Sequence, residues 1–103
     1  MNTIAAISTP YGTGGIAVIR ISGPVAIRIV DGLFRGRHPL AEAKGSTIHY
    51  GEIVAPQTGE VIDEVLVSVF RAPHSFTGED CIEISCHGST FIQEELLRTL
   101  IDA

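Results

Sequence analysis

The sequence predicts an α+β fold, with a mostly antiparallel or mixed β-sheet and two flanking helices. Three observations predict it. Five short runs are rich in β-branched and other apolar residues and are bounded by Gly, Pro and polar turn residues. Two further segments repeat apolar residues at helical spacing. Between two of the strand-like runs, residues 56–60 (PQTGE) have the length and composition of a hairpin loop.

The first two strands are predicted to flank a turn. Residues 2–7 form a short apolar run, and residues 8–15 (STPYGTGG) are dense in turn residues. Residues 15–22 (GIAVIRIS) are apolar on both faces except at Arg20. We therefore expect a buried central strand that carries one cation.

A helix and a surface connection are predicted next. Pro24 suits the first helical position, and apolar residues recur at helical spacing from Ala26 to Leu33. The helix should end near residues 32–36, where glycines occur. Residues 35–45 show no clear periodicity and are predicted to be a surface connection.

The second half of the chain is predicted to hold three strands and a helix. Residues 47–54 and 61–70 form the hairpin, and the second strand of this pair is expected to be largely buried because both of its faces are apolar. Its apolar residues are Val65, Val67 and Val69 on one face and Leu66 and Phe70 on the other. Residues 81–86 form the fifth strand.

The last helix is predicted to begin with a capping box formed by Thr90 and Gln93. Its apolar stripe continues to Leu100, and it reaches residue 103 without a Gly or Pro stop signal. We therefore expect residues 1–103 to be a single domain cut from a longer chain.

Composition and charge exclude several classes of protein. Hydrophobic residues make up 45% of the 103 positions, which is too apolar for a disordered chain. The net charge is −5, and the closest basic cluster (Arg35, Arg37 and His38) is too small to neutralise many phosphates, so direct nucleic-acid binding is not expected. The N-terminus has no positively charged leader and no long apolar stretch, so we expect a cytoplasmic protein without a membrane span.

The two faces of the fifth strand differ sharply. Alternation places Ile82, Ile84 and Cys86 on one face and Cys81, Glu83, Ser85 and His87 on the other. A carboxylate in the middle of a strand is held in position by the sheet. Glu83 is therefore the first candidate for a functional residue.

Arg20 is the second candidate. A guanidinium in an apolar strand must find a carboxylate or reach the sheet surface, because burying it unpaired is costly. Two interpretations remain open. Arg20 forms a structural ion pair with Glu83 or Glu64, or it offers a rigid cation to an anionic ligand.

Metal and disulfide chemistry are not predicted. Cys81 and Cys86 are about 16 Å apart along an extended strand, too far for a disulfide, which suits a reducing compartment. Alternation puts Cys86 on the opposite face from Cys81 and His87, so these groups cannot converge on one zinc ion. Two interpretations of His87 remain open. Its imidazole is bonded to a backbone partner at the strand end, or it contacts a ligand.

The glycine-rich residues 8–15 do not form a nucleotide-binding loop. Successive backbone N–H groups of such a segment can hold an anion. The Gly-Lys-Ser/Thr ending of a P-loop is absent from the sequence, and a strand rather than a helix is predicted to follow. A plain tight turn is the favoured interpretation, and nucleotide hydrolysis by this chain is not expected.

Two long motifs occur in order, STPYGTGGIAVIRISG and PHSFTGEDCIEISCHG. Together they resemble the N-terminal domain of the MnmE (TrmE) family of tRNA modification GTPases, and the resemblance covers nearly the whole chain. The sequence departs from the family pattern at Tyr11 and Thr13, where Pro and Arg are usual, and at Ser89, where a second Gly is usual.

The resemblance implies a tetrahydrofolate-binding domain like that of the aminomethyltransferases. It also implies that the domain forms a homodimer and binds 5-formyltetrahydrofolate or a related tetrahydrofolate near the dimer interface. At the matching positions, Arg20 and Glu83 would hold the folate. The residues expected around them are Thr77, Gly78, Glu79, Asp80 and His87.

For the full-length proteins, the resemblance implies that the folate supplies a one-carbon unit for an aminomethyl or carboxymethylaminomethyl group on the wobble uridine of tRNA. The flavoprotein MnmG (GidA) would be the partner. GTP, Mg²⁺ and K⁺ would bind in a downstream GTPase domain, and a catalytic cysteine and a third folate-contacting residue, a lysine, would also lie downstream. We expect the present chain to be inactive alone.

Two other functions stay open. In a purely structural dimerisation module, Arg20 and Glu83 would pair with each other and no folate would bind. In a free-standing one-carbon transferase related to the aminomethyltransferases, the chain would turn over folate by itself. The small size of the chain argues against the transferase.

Overall fold

The computed structural model describes residues 2–10, 12 and 14–103, so Tyr11 and Thr13, two of the departures from the family pattern, lie outside the described residues. The strands are β1 (Ile4–Ile7), β2 (Ile16–Ser22), β3 (Phe34–Gly36), β4 (Thr47–Val54), β5 (Val61–Phe70) and β6 (Cys81–His87). The helices are α1 (Ala26–Asp31) and α2 (Thr90–Asp102), and a short 3-10 helix covers Leu40–Glu42. Within the described ranges, no helix has the length and apolar character needed to cross a membrane.

The strands form one antiparallel sheet in the order β1-β2-β6-β5-β4-β3. Strands β2 and β6, which carry the two motifs, are neighbours, and their register places Arg20 opposite Glu83. The predicted α+β class, with an antiparallel sheet and two helices, is confirmed.

The hydrophobic core lies between the helices and one face of the sheet. Ile19, Val67 and Ile84 point into it from three adjacent strands and are 0% exposed, and Leu96 packs on them from α2. Because side chains alternate along a strand, the intervening residues lie on the other face. We call this the open face, because it carries large exposed side chains. Its residues on the inner strands include Ile16, Val18, Arg20, Ile48, Tyr50, Leu66, Ser68, Glu83 and Ser85.

The region between α1 and β4 differs from the prediction. Helix α1 ends at Asp31 with Gly32 as its C-cap, and the predicted surface connection (residues 35–45) overlaps β3 and contains the 3-10 helix. Leu40 is 0% exposed, and its N–H donates to Asp31 Oδ1 at 2.7 Å. A three-residue strand and a single helical turn are too short to show a repeat, so periodicity could not predict them.

Two finer predictions about the later elements are wrong. Leu66 is 47% exposed because it lies on the open face, so β5 is not largely buried on both faces. The N-cap of α2 is Ser89 rather than Thr90, and its side chain accepts a hydrogen bond from the N–H of Ile92 at 3.1 Å. Ser89 therefore stabilises the helix start.

A close contact joins the β1–β2 connection to the start of α2. The N–H of Gly14 donates to the carbonyl of Gly88 at 3.0 Å, and a Cβ on Gly88 would lie 2.2 Å from the Gly14 carbonyl oxygen. Gln93 is 1% exposed, and its Nε2 donates to the carbonyls of Gly12 and Gly88 at 2.9 and 3.1 Å. Gln93 thus holds the glycine-rich segment on the helix instead of closing a capping box with Thr90.

Candidate functional site

An ion pair between Arg20 on β2 and Glu83 on β6 lies on the open face. Nε and Nη2 of Arg20 both donate to Oε2 of Glu83, at 2.9 and 2.6 Å. The two side chains are 34% and 19% exposed. The pair is therefore partly open to solvent, and Oε1 of Glu83 has no hydrogen-bond partner among the described residues.

The register of the sheet explains why these two charges meet. Directly opposite residues of an antiparallel pair have Cβ atoms about 4.5–5.5 Å apart, within reach of long side chains. Glu64, the other carboxylate considered for Arg20, lies on β5 and accepts a hydrogen bond from the Tyr50 hydroxyl at 2.5 Å. This hydrogen bond raises the pKa of Tyr50. The structural partner of Arg20 is therefore Glu83.

The loop between β5 and β6 places an aromatic ring beside the pair. Cζ of Arg20 lies 5.0 Å from the centroid of the Phe76 ring, in a cation–π contact. The Phe76 and Phe70 rings meet edge to face, with their centroids 5.8 Å apart. Phe76 is nevertheless 73% exposed. An exposed aromatic ring thus borders the ion pair.

The same loop forms a polar cluster with Ser22, two residues after Arg20 on β2. Oγ of Ser22 lies 2.7 Å from Oγ1 of Thr77 and donates to Oε2 of Glu79 at 3.1 Å. Between them Gly78 has a φ of 80°, a conformation that glycine adopts without steric cost. The structure therefore brings three predicted loop residues, Thr77, Gly78 and Glu79, to the β2 strand that carries Arg20.

The other two predicted residues have separate contacts. Oδ1 of Asp80 accepts a hydrogen bond from the N–H of Ala72 at 2.8 Å, which closes the base of the loop. His87 lies about 13 Å beyond Glu83 along β6. Its Nδ1 lies 2.7 Å from Oδ1 of Asp63, and its N–H donates to Oδ2 of Asp63 at 2.8 Å. His87 is therefore held at the strand end by a carboxylate rather than grouped with the ion pair.

Both cysteines are buried free thiols. Burial raises the pKa of Cys86 to about 11, and burial also raises the pKa of Cys81. A thiol with a raised pKa carries little of the nucleophilic thiolate at neutral pH. In the part of the chain that the structure describes, no group of three or more His, Cys, Asp or Glu side chains could hold a metal ion.

Comparison with known proteins tests the family resemblance that the two motifs indicate. A family model described as "GTP-binding protein TrmE N-terminus" matches residues 3–103. The chain belongs to this family. It is 55% identical to the tRNA modification GTPase MnmE of Parabacteroides distasonis, over 100% of this chain and 23% of that protein. It is 51% identical to the tRNA modification GTPase MnmE of Carboxydothermus hydrogenoformans, over 97% of this chain and 22% of that protein.

The chain spans less than a quarter of the length of the curated relatives that it matches. A third relative, the tRNA modification GTPase MnmE of Staphylococcus aureus (strain Newman), is 53% identical over 85% of this chain and 19% of that protein. In each of these relatives, the region that matches this chain is therefore one part of a longer protein.

Sequence reasoning missed two residues beside the ion pair, Phe76 and Ser22. Phe76 lies within the SFTGED part of the second motif, where it is a large apolar residue among polar loop residues. That composition was a usable signal for a side chain with a role outside the core. Ser22 shares strand parity with Arg20, so alternation alone could have placed its hydroxyl on the same face.

Proposed function

We propose that this chain is the folate-binding and dimer-forming N-terminal module of a tRNA modification GTPase. Its ligand is 5-formyltetrahydrofolate or a related tetrahydrofolate, and its fold is that of the tetrahydrofolate-binding domain of aminomethyltransferases. The observation that carries this proposal is the Arg20–Glu83 pair, which is partly exposed on the open face of the sheet.

The chemistry of the pair suits a reduced pterin. The pyrimidinone edge of a pterin offers adjacent N–H donors, and a carboxylate oxygen without another hydrogen bond can accept one of them. Oε1 of Glu83 has no partner among the described residues, and Nη1 of Arg20 likewise makes no hydrogen bond with them. Glu83 would therefore hold the pterin edge, and Arg20 would meet an anionic group of the folate.

The open face supports the homodimer. Ile16, Ile48, Tyr50 and Leu66 are between 47% and 70% exposed on this face. A group of large apolar side chains on an exposed sheet surface is typical of a protein interaction site. A second copy of the chain would cover these residues, and a folate on Glu83 would then lie close to the dimer interface.

For the full-length protein we propose the tRNA modification GTPase activity that the names of the relatives state, with the finer roles that the family resemblance implies. The substrate would be tRNA, modified at the wobble uridine with a one-carbon unit from the folate and with the flavoprotein MnmG (GidA) as partner. GTP, Mg²⁺ and K⁺ would bind to a downstream domain, and the protein would act in the cytoplasm. These roles rest on family membership.

Calorimetric titration of 5-formyltetrahydrofolate into the 103-residue chain tests the folate site. We expect saturable binding, weakened at least tenfold, or about 1.4 kcal/mol, by Arg20→Ala or Glu83→Ala. Arg28→Ala is a matched control, because Arg28 is an exposed arginine on α1 without an ion pair to the described residues. Wild-type affinity in both site variants would refute the roles given to Arg20 and Glu83.

The 2.6 Å contact within the pair also supports a second candidate function. In a purely structural dimerisation module, Arg20 and Glu83 would stabilise the β2–β6 pairing and no folate would bind. This candidate predicts a dimer on a sizing column and no saturable heat in the folate titration. The folate-binding module predicts a dimer with saturable heat.

A further inference from the structure

The loop between β5 and β6 presents Phe76 to solvent in a defined position. The ring is 73% exposed. The loop nevertheless has its own hydrogen bonds, from the N–H of Ala72 to Asp80 at 2.8 Å and from Oγ of Ser75 to the carbonyl of Glu79 at 2.5 Å. The internal hydrogen bonds of the loop therefore hold Phe76 in an exposed position.

Two contacts set the place of the ring relative to the ion pair. The guanidinium of Arg20 lies over it, with Cζ 5.0 Å from the ring centroid, and Phe70 meets it at an interplanar angle of 67°. Arg20 also donates to Glu83, so one side chain contacts both the aromatic ring and the carboxylate. The Glu83 carboxylate and the Phe76 ring therefore share Arg20 as a neighbour, and a ligand that extends from Glu83 past Arg20 would meet the ring.

We propose that Phe76 stacks on the planar ring of the ligand that Glu83 binds, and that it selects conjugated heterocycles over aliphatic anions. The inference rests on the proposed function and adds a recognition residue to the site. Stacking on an aromatic ring depends on the face of the heterocycle and not on its edge groups. Glu83 recognises the edge of the heterocycle, Arg20 its negative charge, and Phe76 its flat surface.

Titration of 5-formyltetrahydrofolate into matched variants tests the stacking role. Phe76→Leu keeps an apolar side chain but removes the ring, and we expect it to weaken binding at least about fivefold. Phe76→Tyr keeps the ring and should bind within about twofold of wild type. Phe91→Leu is the control, because Phe91 on α2 is 69% exposed but lies on a helix and not beside the ion pair.

Fluorescence gives a readout that a merely structural role of Phe76 would not change. The chain contains no tryptophan, so Phe76→Trp introduces a single reporter at the site. A stacked heterocycle should quench this indole with the same concentration dependence as the calorimetric binding. Phe91→Trp corrects for absorption of light by the ligand and should show no saturable quenching.

The outcomes separate this inference from the proposed function. The stacking role would be overturned if Phe76→Leu bound the folate as tightly as wild type does. It would also be overturned if tryptophan at positions 76 and 91 were quenched equally. Either result would leave the proposed folate site intact. Absence of binding to wild type would overturn both. Loss of binding in Phe76→Leu and in Glu83→Ala, with normal binding in Phe91→Leu, supports both.

Discussion

Arg20 and Glu83 occupy opposite positions on β2 and β6, and two nitrogens of the guanidinium donate to one oxygen of the carboxylate. This arrangement leaves Oε1 of Glu83 and Nη1 of Arg20 without hydrogen bonds to the described residues. The pair can therefore stabilise the sheet, and its role in the proposed ligand site is a separate question. Separate experiments are needed for the two roles.

The contribution of the pair to folding follows from a double-mutant cycle. Because both side chains are partly exposed, we expect a coupling free energy of about 1 kcal/mol between Arg20→Met and Glu83→Gln. Urea unfolding of wild type, both single variants and the double variant measures it. Additive effects, within about 0.3 kcal/mol, would mean that the pair does not stabilise the fold.

A single charged substitution can test whether the open face is the dimer interface. Leu66→Asp should convert the proposed dimer to a monomer, because a carboxylate buried in an apolar interface is costly to desolvate. Ile101→Asp is the control, since Ile101 is 64% exposed but lies on α2. Light scattering after a sizing column gives the mass. A dimer that survives Leu66→Asp and dissociates with Ile101→Asp would place the interface on the helical side.

The two thiols should be slow to react in the folded chain. With a pKa of about 11 instead of 9.0, Cys86 holds about 100-fold less thiolate at pH 8 than an ordinary cysteine. We expect labelling by a disulfide reagent at pH 8 to be slow until urea unfolds the chain. Rapid labelling of both thiols in the native chain would contradict the burial of these side chains.

The raised pKa of Cys86 also predicts a loss of stability at alkaline pH. The unfolded thiol releases its proton near its ordinary pKa of 9.0, whereas the folded thiol keeps it up to a pKa of about 11. The native state thus binds more protons in this range, so the free energy of unfolding falls as the pH rises from 9 toward 11. Urea unfolding across this range should show a smaller fall for Cys86→Ala than for wild type.

The N-cap of α2 can be assigned by comparing two neighbouring hydroxyl residues. Ser89→Ala should lower the free energy of unfolding by about 1 kcal/mol, because it removes the acceptor for the N–H of Ile92. Thr90→Ala should lower it by less than about 0.5 kcal/mol, since Thr90 is already within the helix. Circular dichroism during urea unfolding measures both. Equal losses would argue against Ser89 as the cap.

Alternation along strands predicted much of the fold, because it depends only on neighbouring residues. It placed Ile84 and Glu83 on opposite faces of β6, and Ile84 is 0% exposed while Glu83 pairs with Arg20. Alternation does not say which face the helices cover. That is why Leu66 was expected to be buried, although it lies on the open face.

Local sequence patterns do not contain the information needed to predict the partner of Arg20 or the short elements between α1 and β4. Glu83 and Glu64 were equally suitable carboxylates, and only the strand order puts Glu83 beside β2. Leu40 is buried through a single turn that is too short to repeat. The composition of the loop singles out Phe76, but its contact with Arg20 is visible only in the folded chain.

The two charged halves of the site are 63 residues apart in the sequence and meet only when β2 pairs with β6. A small molecule that contacts both charged residues binds only the folded sheet, because the unfolded chain has no equivalent site. Such a molecule adds about 2.7 kcal/mol to the free energy of unfolding at a concentration 100 times its Kd. The melting temperature of this chain can therefore serve as a screen for its ligands, without any assay of catalysis.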